Sequence, residues 1–249
     1  MINFYRSKLI FCFLLLIAAS STLAQNVQLI AEDFETPNFT FFTLNTAGPG
    51  AGSGTNRWII NNSYNGTTPY PNTAPQDSTV SGQIGGAPYS KYMHIYDSGF
   101  GLSQGDTNAC YDPSQPSDIF TELSGNMCTL GMINVTMAFF YSCVGSSSAY
   151  GQLYYSANGG PWTQIGQAQY NSTPIWQYEA VTDPAFDNVA NLKFGFRWQN
   201  TATGDPVTRS FAVDDIQVVG TFNSTGVTLS IDSVWPTPIC PNRYLFLEW

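Results

Sequence analysis

Residues 192–199, LKFGFRWQ, and residues 210–220, SFAVDDIQVVG, decide how this chain folds. In the first run Leu192, Phe194, Phe196 and Trp198 alternate with Lys193, Gly195, Arg197 and Gln199. A period of two places the large apolar groups on one side of a strand and the other set on the opposite side. In the second run Asp214 and Asp215 interrupt a strand of Phe211, Val213, Ile216, Val218 and Val219. Strict alternation sends one carboxylate to each face, where it needs a cation or hydrogen-bond donors to offset its desolvation. The pairing of these runs predicts an all-β sandwich with a calcium site.

Turn signals recur along the rest of the chain at the short spacing of an all-β domain, and no segment holds a helical period. Residues 29–34 and 39–44 read as opening strands, and 46–56, TAGPGAGSGTN, as a flexible loop by composition. A short strand at 58–60 precedes residues 61–88, rich in Asn, Thr, Pro, Gly and Ser, a long surface excursion of the sort that carries binding contacts. Residues 91–97 return to strand, with Tyr92, His94 and Tyr96 on one side and Met93 and Ile95 on the other. Strands follow at 134–143 and 150–156. Asn158-Gly159-Gly160 then turns the chain tightly into 162–165, because Asn and Gly tolerate positive φ. With 176–181, 192–199 and 210–219 the strands are too many for one flat sheet, so two stacked sheets are expected.

Arg6 and Lys8 precede an apolar run at 9–19 that is short for a bilayer, and Thr22-Leu23-Ala24 supplies the small residues of a cleavage site. Residues 1–24 therefore read as a removable signal peptide, 25–222 as the sandwich and 223–249 as a linker with the start of a further module. The chain has 17 acidic and 8 basic residues, and loss of Arg6 and Lys8 takes the formal charge from −9 to −11. Such a balance disfavours nucleic acid and anionic membranes as partners. Only 10% of residues are charged while 15% are aromatic, so neutral polar groups must cover the surface of one sizeable core. Export to the extracellular space or cell surface is expected.

Cys110, Cys128, Cys143 and Cys240 remain after removal of the leader with Cys12. An even count in an oxidising compartment predicts disulfides. Cys110 with Cys128 and Cys128 with Cys143 are competing pairings, with Cys240 awaiting a partner from a following module. No spacing suits zinc or CxxC redox chemistry. Six sequons, at Asn38, Asn61, Asn65, Asn134, Asn171 and Asn223, are glycan acceptors in a eukaryotic secretory route and incidental in a bacterial chain.

The ordered set Glu32-Asp33-Phe34-Glu35, YMHIYD at 92–97, Phe139-Phe140-Tyr141, YGQLYYS at 150–156 with Asn158-Gly159-Gly160 and Trp162-Thr163, FGFRW at 194–198 and FAVDDI at 211–216 resembles bacterial MAM-like, concanavalin A-like jelly-roll domains of surface proteins exported by the type IX route. The resemblance covers about residues 27–220 and implies a jelly roll with a recognition or adhesion role. It also implies a structural cation near the terminal strands. The chain departs from the family in ending at Trp249 without a sorting domain. Pro236-Thr237-Pro238-Ile239-Cys240-Pro241 resembles the beginning of an immunoglobulin-like module, and the apolar run YLFLEW at 244–249 has no domain to bury it, so the chain reads as truncated or frameshifted.

A single histidine, His94, sits mid-strand between two tyrosines, which leaves little for a Ser-His-Asp or Cys-His arrangement. No alternating carboxylate strand presents a glycosidase pair. Asp33, Glu35, Asp97, Asp214 and Asp215 are the expected calcium ligands, a hard cation taking several such oxygens. Trp58, Tyr64, Tyr70, Trp162 and Trp176 lie nearest the Gly/Asn/Pro-rich loops and are the expected ligand-binding aromatics. Two roles follow. One is a non-catalytic module binding extracellular carbohydrate or a surface protein. The other is an accessory domain of a secreted peptidase or glycosidase whose catalytic module lies elsewhere.

Overall fold

The computed structural model describes residues 26–50, 52–64, 74–76, 84–103, 109–201 and 209–223. Residues 1–25, Tyr70, Cys240 and the tail beyond Asn223 lie outside them. The described strands are β1 (Asn26–Glu32), β2 (Phe42–Thr46), β3 (Arg57–Asn61), β4 (Tyr92–Tyr96), β5 (Ser117–Leu123), β6 (Met132–Cys143), β7 (Ala149–Ala157), β8 (Thr163–Tyr170), β9 (Thr173–Thr182), β10 (Leu192–Asn200) and β11 (Ala212–Phe222). A short helix, α1 (Ser98–Ser103), follows β4, and a 3-10 turn, Pro184–Phe186, precedes β10. One sheet runs β3-β4-β11-β6-β9 with β1 also on β11, and the other β2-β5-β10-β7-β8. Every described pairing is antiparallel. The architecture is the expected all-β jelly-roll sandwich of two antiparallel sheets.

The alternation in β10 builds the core: Leu192, Phe194, Phe196 and Trp198 are all fully buried. They meet the inner face of the opposite sheet, where Phe196 lies edge-on to Phe139 at 5.1 Å and to Phe211 at 5.9 Å. Such edge-to-face pairs add to the large apolar burial that each ring already contributes. Gly151 belongs to this core too, since a Cβ there would fall 2.1 Å from the Phe211 ring. The β7–β8 turn is as expected: Asn158 and Gly159 take φ values of 53° and 72°, and the Gly160 amide donates to the Ala157 carbonyl at 2.9 Å.

Several local expectations change. The first strand ends at Glu32, because Phe34 turns the chain with φ 57° while its amide donates to the Glu32 carboxylate at 2.8 Å. Phe39 and Phe41 lie outside β2 and are exposed. Strand β5 had no counterpart in the sequence reading. Strict alternation fails in β11, where Asp215 has φ 45° and the register against β6 shifts between Asp214 and Gln217. This bulge takes up one residue, so Phe211 and Val213 before it and Ile216 and Val218 after it all face the core. Cys128 is disulfide-bonded, but to neither Cys110 nor Cys143, and its partner lies outside the described residues. Burial pushes the Cys143 thiol well above its ordinary range.

Candidate functional site

Part of the outer face of the β3-β4-β11-β6-β9 sheet is covered by the chain itself. Tyr64, Ile84, Tyr92, Phe140, Trp176 and Ala212 form a second, smaller apolar cluster there. Tyr64 stacks on Tyr92 at 4.6 Å, and Tyr92 stacks on His94 at 4.4 Å. Their polar tips are satisfied locally: the Tyr64 hydroxyl donates to the Ser90 carbonyl at 2.5 Å and the Tyr92 hydroxyl to Ser63 at 2.6 Å. The Trp176 indole donates to the Ala74 carbonyl at 2.8 Å, and His94 Nε2 meets Asn61 Oδ1 at 2.9 Å. Burial, first, and the neighbouring Tyr92 raise the Tyr64 phenol far above its usual range.

Three of the five aromatics expected to bind ligand are therefore structural. Tyr64 and Trp176 pack beneath the residues that follow β3, and Trp58 is an inner-face core residue edge-on to Phe211 at 6.1 Å. Their nearness to Gly/Asn/Pro-rich segments reflects what those segments pack upon. Tyr70 lies outside the described residues, and Trp162 is half-buried.

The five expected calcium ligands do not come together. Asp97 follows the C-terminal end of β4, where its carboxylate accepts from the Phe100 amide at 2.8 Å. Antiparallel pairing of Ala212 with His94 and Val213 with Met93 carries Asp214 and Asp215 toward the other end of β4. There Asp214, fully buried, accepts from the Gln76 amide, from the Ser90 hydroxyl at 3.0 Å and from the Asp215 amide at 2.8 Å. Asp215 accepts from the Gly85 amide at 2.5 Å, and Glu35 from the Lys91 amide. Burial, then repulsion from Asp215, raises the Asp214 carboxyl well above the carboxylate range. Asp215 is raised by burial and by the charges of Asp33 and Glu35. Asp214 and Asp215 thus fasten Gln76, Gly85 and Ser90 onto β11. Among the described residues no group of three or more His, Cys, Asp or Glu side chains could hold a metal ion.

The outer face of the β2-β5-β10-β7-β8 sheet is different in kind. Its side chains come from the alternate positions of strands whose other parity builds the core: Asp118, Phe120 and Glu122 on β5, Tyr150, Gln152, Tyr154 and Ser156 on β7, Lys193, Gly195, Arg197 and Gln199 on β10. Register sets Arg197 opposite Phe120 and Gln152, and Gly195 opposite Glu122 and Tyr154. Arg197 holds Asp118 through two 2.7 Å bonds, Nε to Oδ1 and Nη2 to Oδ2, and its Nη1 donates to the Tyr154 hydroxyl at 3.2 Å. The Tyr154 hydroxyl donates to Gln152 Oε1 at 3.1 Å, and Gln152 Nε2 to Gln164 Oε1 at 2.8 Å. Tyr150 donates to Gln199 Oε1 at 2.8 Å, and Lys193 Nζ lies 3.5 Å from Glu122. The hydrogen-bonded Asp118 carboxylate holds the guanidinium charged well above its ordinary range.

An aromatic cluster lies beside this network. Phe120 points outward yet is fully buried, because its ring rests over Gly195 and beneath Gly48. Trp162 closes on it edge-on at 4.8 Å and Tyr154 at 6.0 Å. The face thus combines fixed amide, hydroxyl and guanidinium groups with partly exposed rings. Among the described outer positions of β5, β7 and β10 there is no histidine. Of the described aromatics singled out in the sequence only Trp162 lies on it. Tyr150, Gln152, Tyr154, Arg197 and Asp118 were overlooked, although the parity of β7 and β10 marks them.

No protein-family model matches the chain and no curated protein matches it. Among solved structures it is similar to the CBM22-1 xylan-binding domain from Paenibacillus barcinonensis Xyn10C, at 10% identity over 81% of this chain and 98% of that one, with a TM-score of 0.43 against 0.42 for the next. That second structure holds the CBM22-1-GH10 modules of a Clostridium thermocellum endo-xylanase complexed with xylohexaose, at 10% identity over 77% of this chain and 28% of that one. A cyclase from Fischerella sp. TAU is similar at 12% identity over 79% and 98%, TM-score 0.35. The chain spans just over a quarter of the xylanase chain. At identities of 10–12% and TM-scores of 0.35–0.43 these likenesses assign no role to the chain.

Proposed function

We propose that this chain is a non-catalytic, secreted or cell-surface recognition module that binds carbohydrate on the outer face of the β2-β5-β10-β7-β8 sheet. The observation that carries the reading is the hydrogen-bonded series Asp118–Arg197–Tyr154–Gln152–Gln164 set beside Trp162. Sugar rings offer an apolar face for an aromatic side chain and hydroxyls that both donate and accept, which amides and phenols match. Because the groups fix one another, little side-chain entropy is lost on binding. From Tyr150 to Ser156 β7 extends roughly 20 Å at about 3.3 Å per residue, so the face suits an oligosaccharide chain better than a single sugar. The MAM-like resemblance and the signal-like N-terminus support placement outside the cell.

Native affinity electrophoresis through gels containing soluble polysaccharides tests this. We expect at least one to retard the protein, and Trp162→Ala and Tyr150→Ala each to weaken binding about tenfold, equivalent to about 1.4 kcal/mol. Trp58 and Trp176 are core residues, so Trp176→Phe should bind as the wild type does. Binding that is indifferent to Trp162 and Tyr150 moves the site elsewhere. Glycan cleavage by the purified protein overturns the non-catalytic reading.

A further inference from the structure

We propose that the glycan taken by this face is uncharged, and that the face discriminates against chains bearing carboxylate or sulfate groups. This rests on the carbohydrate reading above and adds the chemical class of the ligand. Uronate and sulfate groups are ordinarily met by arginine or lysine with donors to spare. On the described outer positions of β5, β7 and β10 the cations are Lys193 and Arg197, and both are committed to carboxylates of the same face. Arg197 presents its two-pronged edge to Asp118, and its remaining terminal nitrogen already donates to Tyr154. Drawing the guanidinium toward an incoming carboxylate would leave Asp118, whose side chain is only 21% exposed, without its counter-ion. The charges of Lys193, Arg197, Glu122 and Asp118 cancel.

Groups without a protein partner on this face are neutral ones. Among the described residues Gln199 spends its Oε1 on Tyr150, leaving its amide N–H groups available, and the Trp162 indole N–H makes no hydrogen bond. These are donors suited to hydroxyl and ring oxygens. The chain around them carries a formal charge of −9, which repels polyanions at long range. A ligand bound without exchange of charge also has little dependence on ionic strength.

The test is electrophoretic retardation of the full chain by neutral polymers (unsubstituted xylan, mixed-linkage glucan, galactomannan) and by acidic ones (polygalacturonate, alginate, chondroitin sulfate), at about 20 mM and about 500 mM NaCl, on either side of the range where charges are screened. We expect a neutral polymer to bind with less than a twofold change between the two salts and no acidic polymer to bind. Asp118→Asn releases the Arg197 fork and should gain retardation by polygalacturonate at low salt, at least tenfold over wild type and abolished at high salt. Glu122→Gln, at a more exposed pair, should gain the same property through Lys193 if Asp118→Asn fails to fold. An acidic polymer bound by the wild type, lost on Arg197→Gln and steeply salt-dependent, overturns the inference while leaving the carbohydrate reading standing. Failure of every polymer to bind overturns both. Absence of any gain in two well-folded charge-release variants removes the explanation from Arg197 and Lys193.

Discussion

Gly195→Ala should destabilise the protein, although glycine within a strand ordinarily weakens it by about 0.5–1 kcal/mol relative to alanine. A Cβ at position 195 would stand 2.3 Å from Phe120 Cζ, 2.7 Å from Phe120 Cε1 and 2.7 Å from the Thr121 carbonyl oxygen. Carbon atoms in favourable contact stand about 3.5–4.0 Å apart, so the overlap exceeds an ångström. Neither neighbour can yield freely. The Phe120 ring is fully buried under Gly48, where another Cβ would fall 2.0 Å from Phe120 Cδ1, and Thr121 belongs to the ladder that pairs β5 with β10. Overpacking of this sort costs about 1–3 kcal/mol. With the backbone among the clashing atoms, the upper half of that range applies, and the propensity gain offsets part of it. The net expectation is a loss of about 2 kcal/mol, or about 4–8 °C of melting midpoint at roughly 2–4 °C per kcal/mol for a domain of this size. Urea unfolding of Gly195→Ala, Phe120→Ala and the double variant separates the causes. If the ring carries the clash, the alanine at 195 costs at least about 1 kcal/mol less in the Phe120→Ala background, a coupling typical of touching residues. A Gly195→Ala protein as stable as wild type, or an equal cost in both backgrounds, refutes the reasoning.

Two further expectations come from the acidic residues of β11. Asp214 binds its proton more tightly in the native state than in the unfolded chain, so the stability it contributes is complete below its ordinary value of 3.8 and is lost as pH rises toward its raised native value. Asp214→Asn should therefore gain on wild type progressively from about pH 4 upward in urea unfolding, and a constant difference between the two across pH would contradict the assignment. Calcium stays a proposal resting on Asp215, whose carboxyl is raised by burial and then by the charges of Asp33 and Glu35, although the described carboxylates by themselves form no group of three around an ion. It predicts a higher midpoint in millimolar calcium than in chelator for wild type and none of that response in Asp215→Asn, and equal wild-type midpoints refute it.

The core was readable because β10 obeys a simple rule. Leu192, Phe194, Phe196 and Trp198 share one parity, and all are buried. The same strand carried the site in its other parity, where Lys193, Gly195, Arg197 and Gln199 face outward. Attention to aromatic residues near loops missed this, since a loop that covers a sheet needs something apolar beneath it. Residues 62–64, 74–76 and 84–91 cover Tyr92 and Trp176 in this way, which is why β4 is buried on both sides. The bulge at Asp215 was also legible after the fact. Apolar residues at 211 and 213 fall out of phase with those at 216 and 218, and only an extra residue between them restores the core face. Strand β5 escaped because its outward Phe120 is buried as fully as its inward Ile119 is nearly so, which erases the alternation. The partner of Cys128 was not deducible, since four cysteines allow several pairings and spacing does not choose among them.

Glycine content misled in a more instructive way. The segment TAGPGAGSGTN at 46–56 reads as flexible, yet Gly48, Gly50 and Gly54 mark close approach. Gly48 lies on the Phe120 ring, and a Cβ at Gly50 would fall 2.4 Å from Asp118 Oδ1. Ser53 and Asp118 exchange backbone hydrogen bonds, each at 3.2 Å. The segment is thus fastened along β5 on the outer face, where it buries Phe120 and flanks the carboxylate that orients Arg197. Glycine is needed there because no side chain fits at Gly48, Gly50 and Gly54 and because Gly48, Gly52 and Gly54 take positive φ, not because the backbone must move. A face held by glycine contact on one side and by the Trp162 ring on the other is set before any ligand arrives. Under the proposed function, that prior order reduces the entropy lost on binding, so that neutral amides and phenols, each weak alone, would suffice.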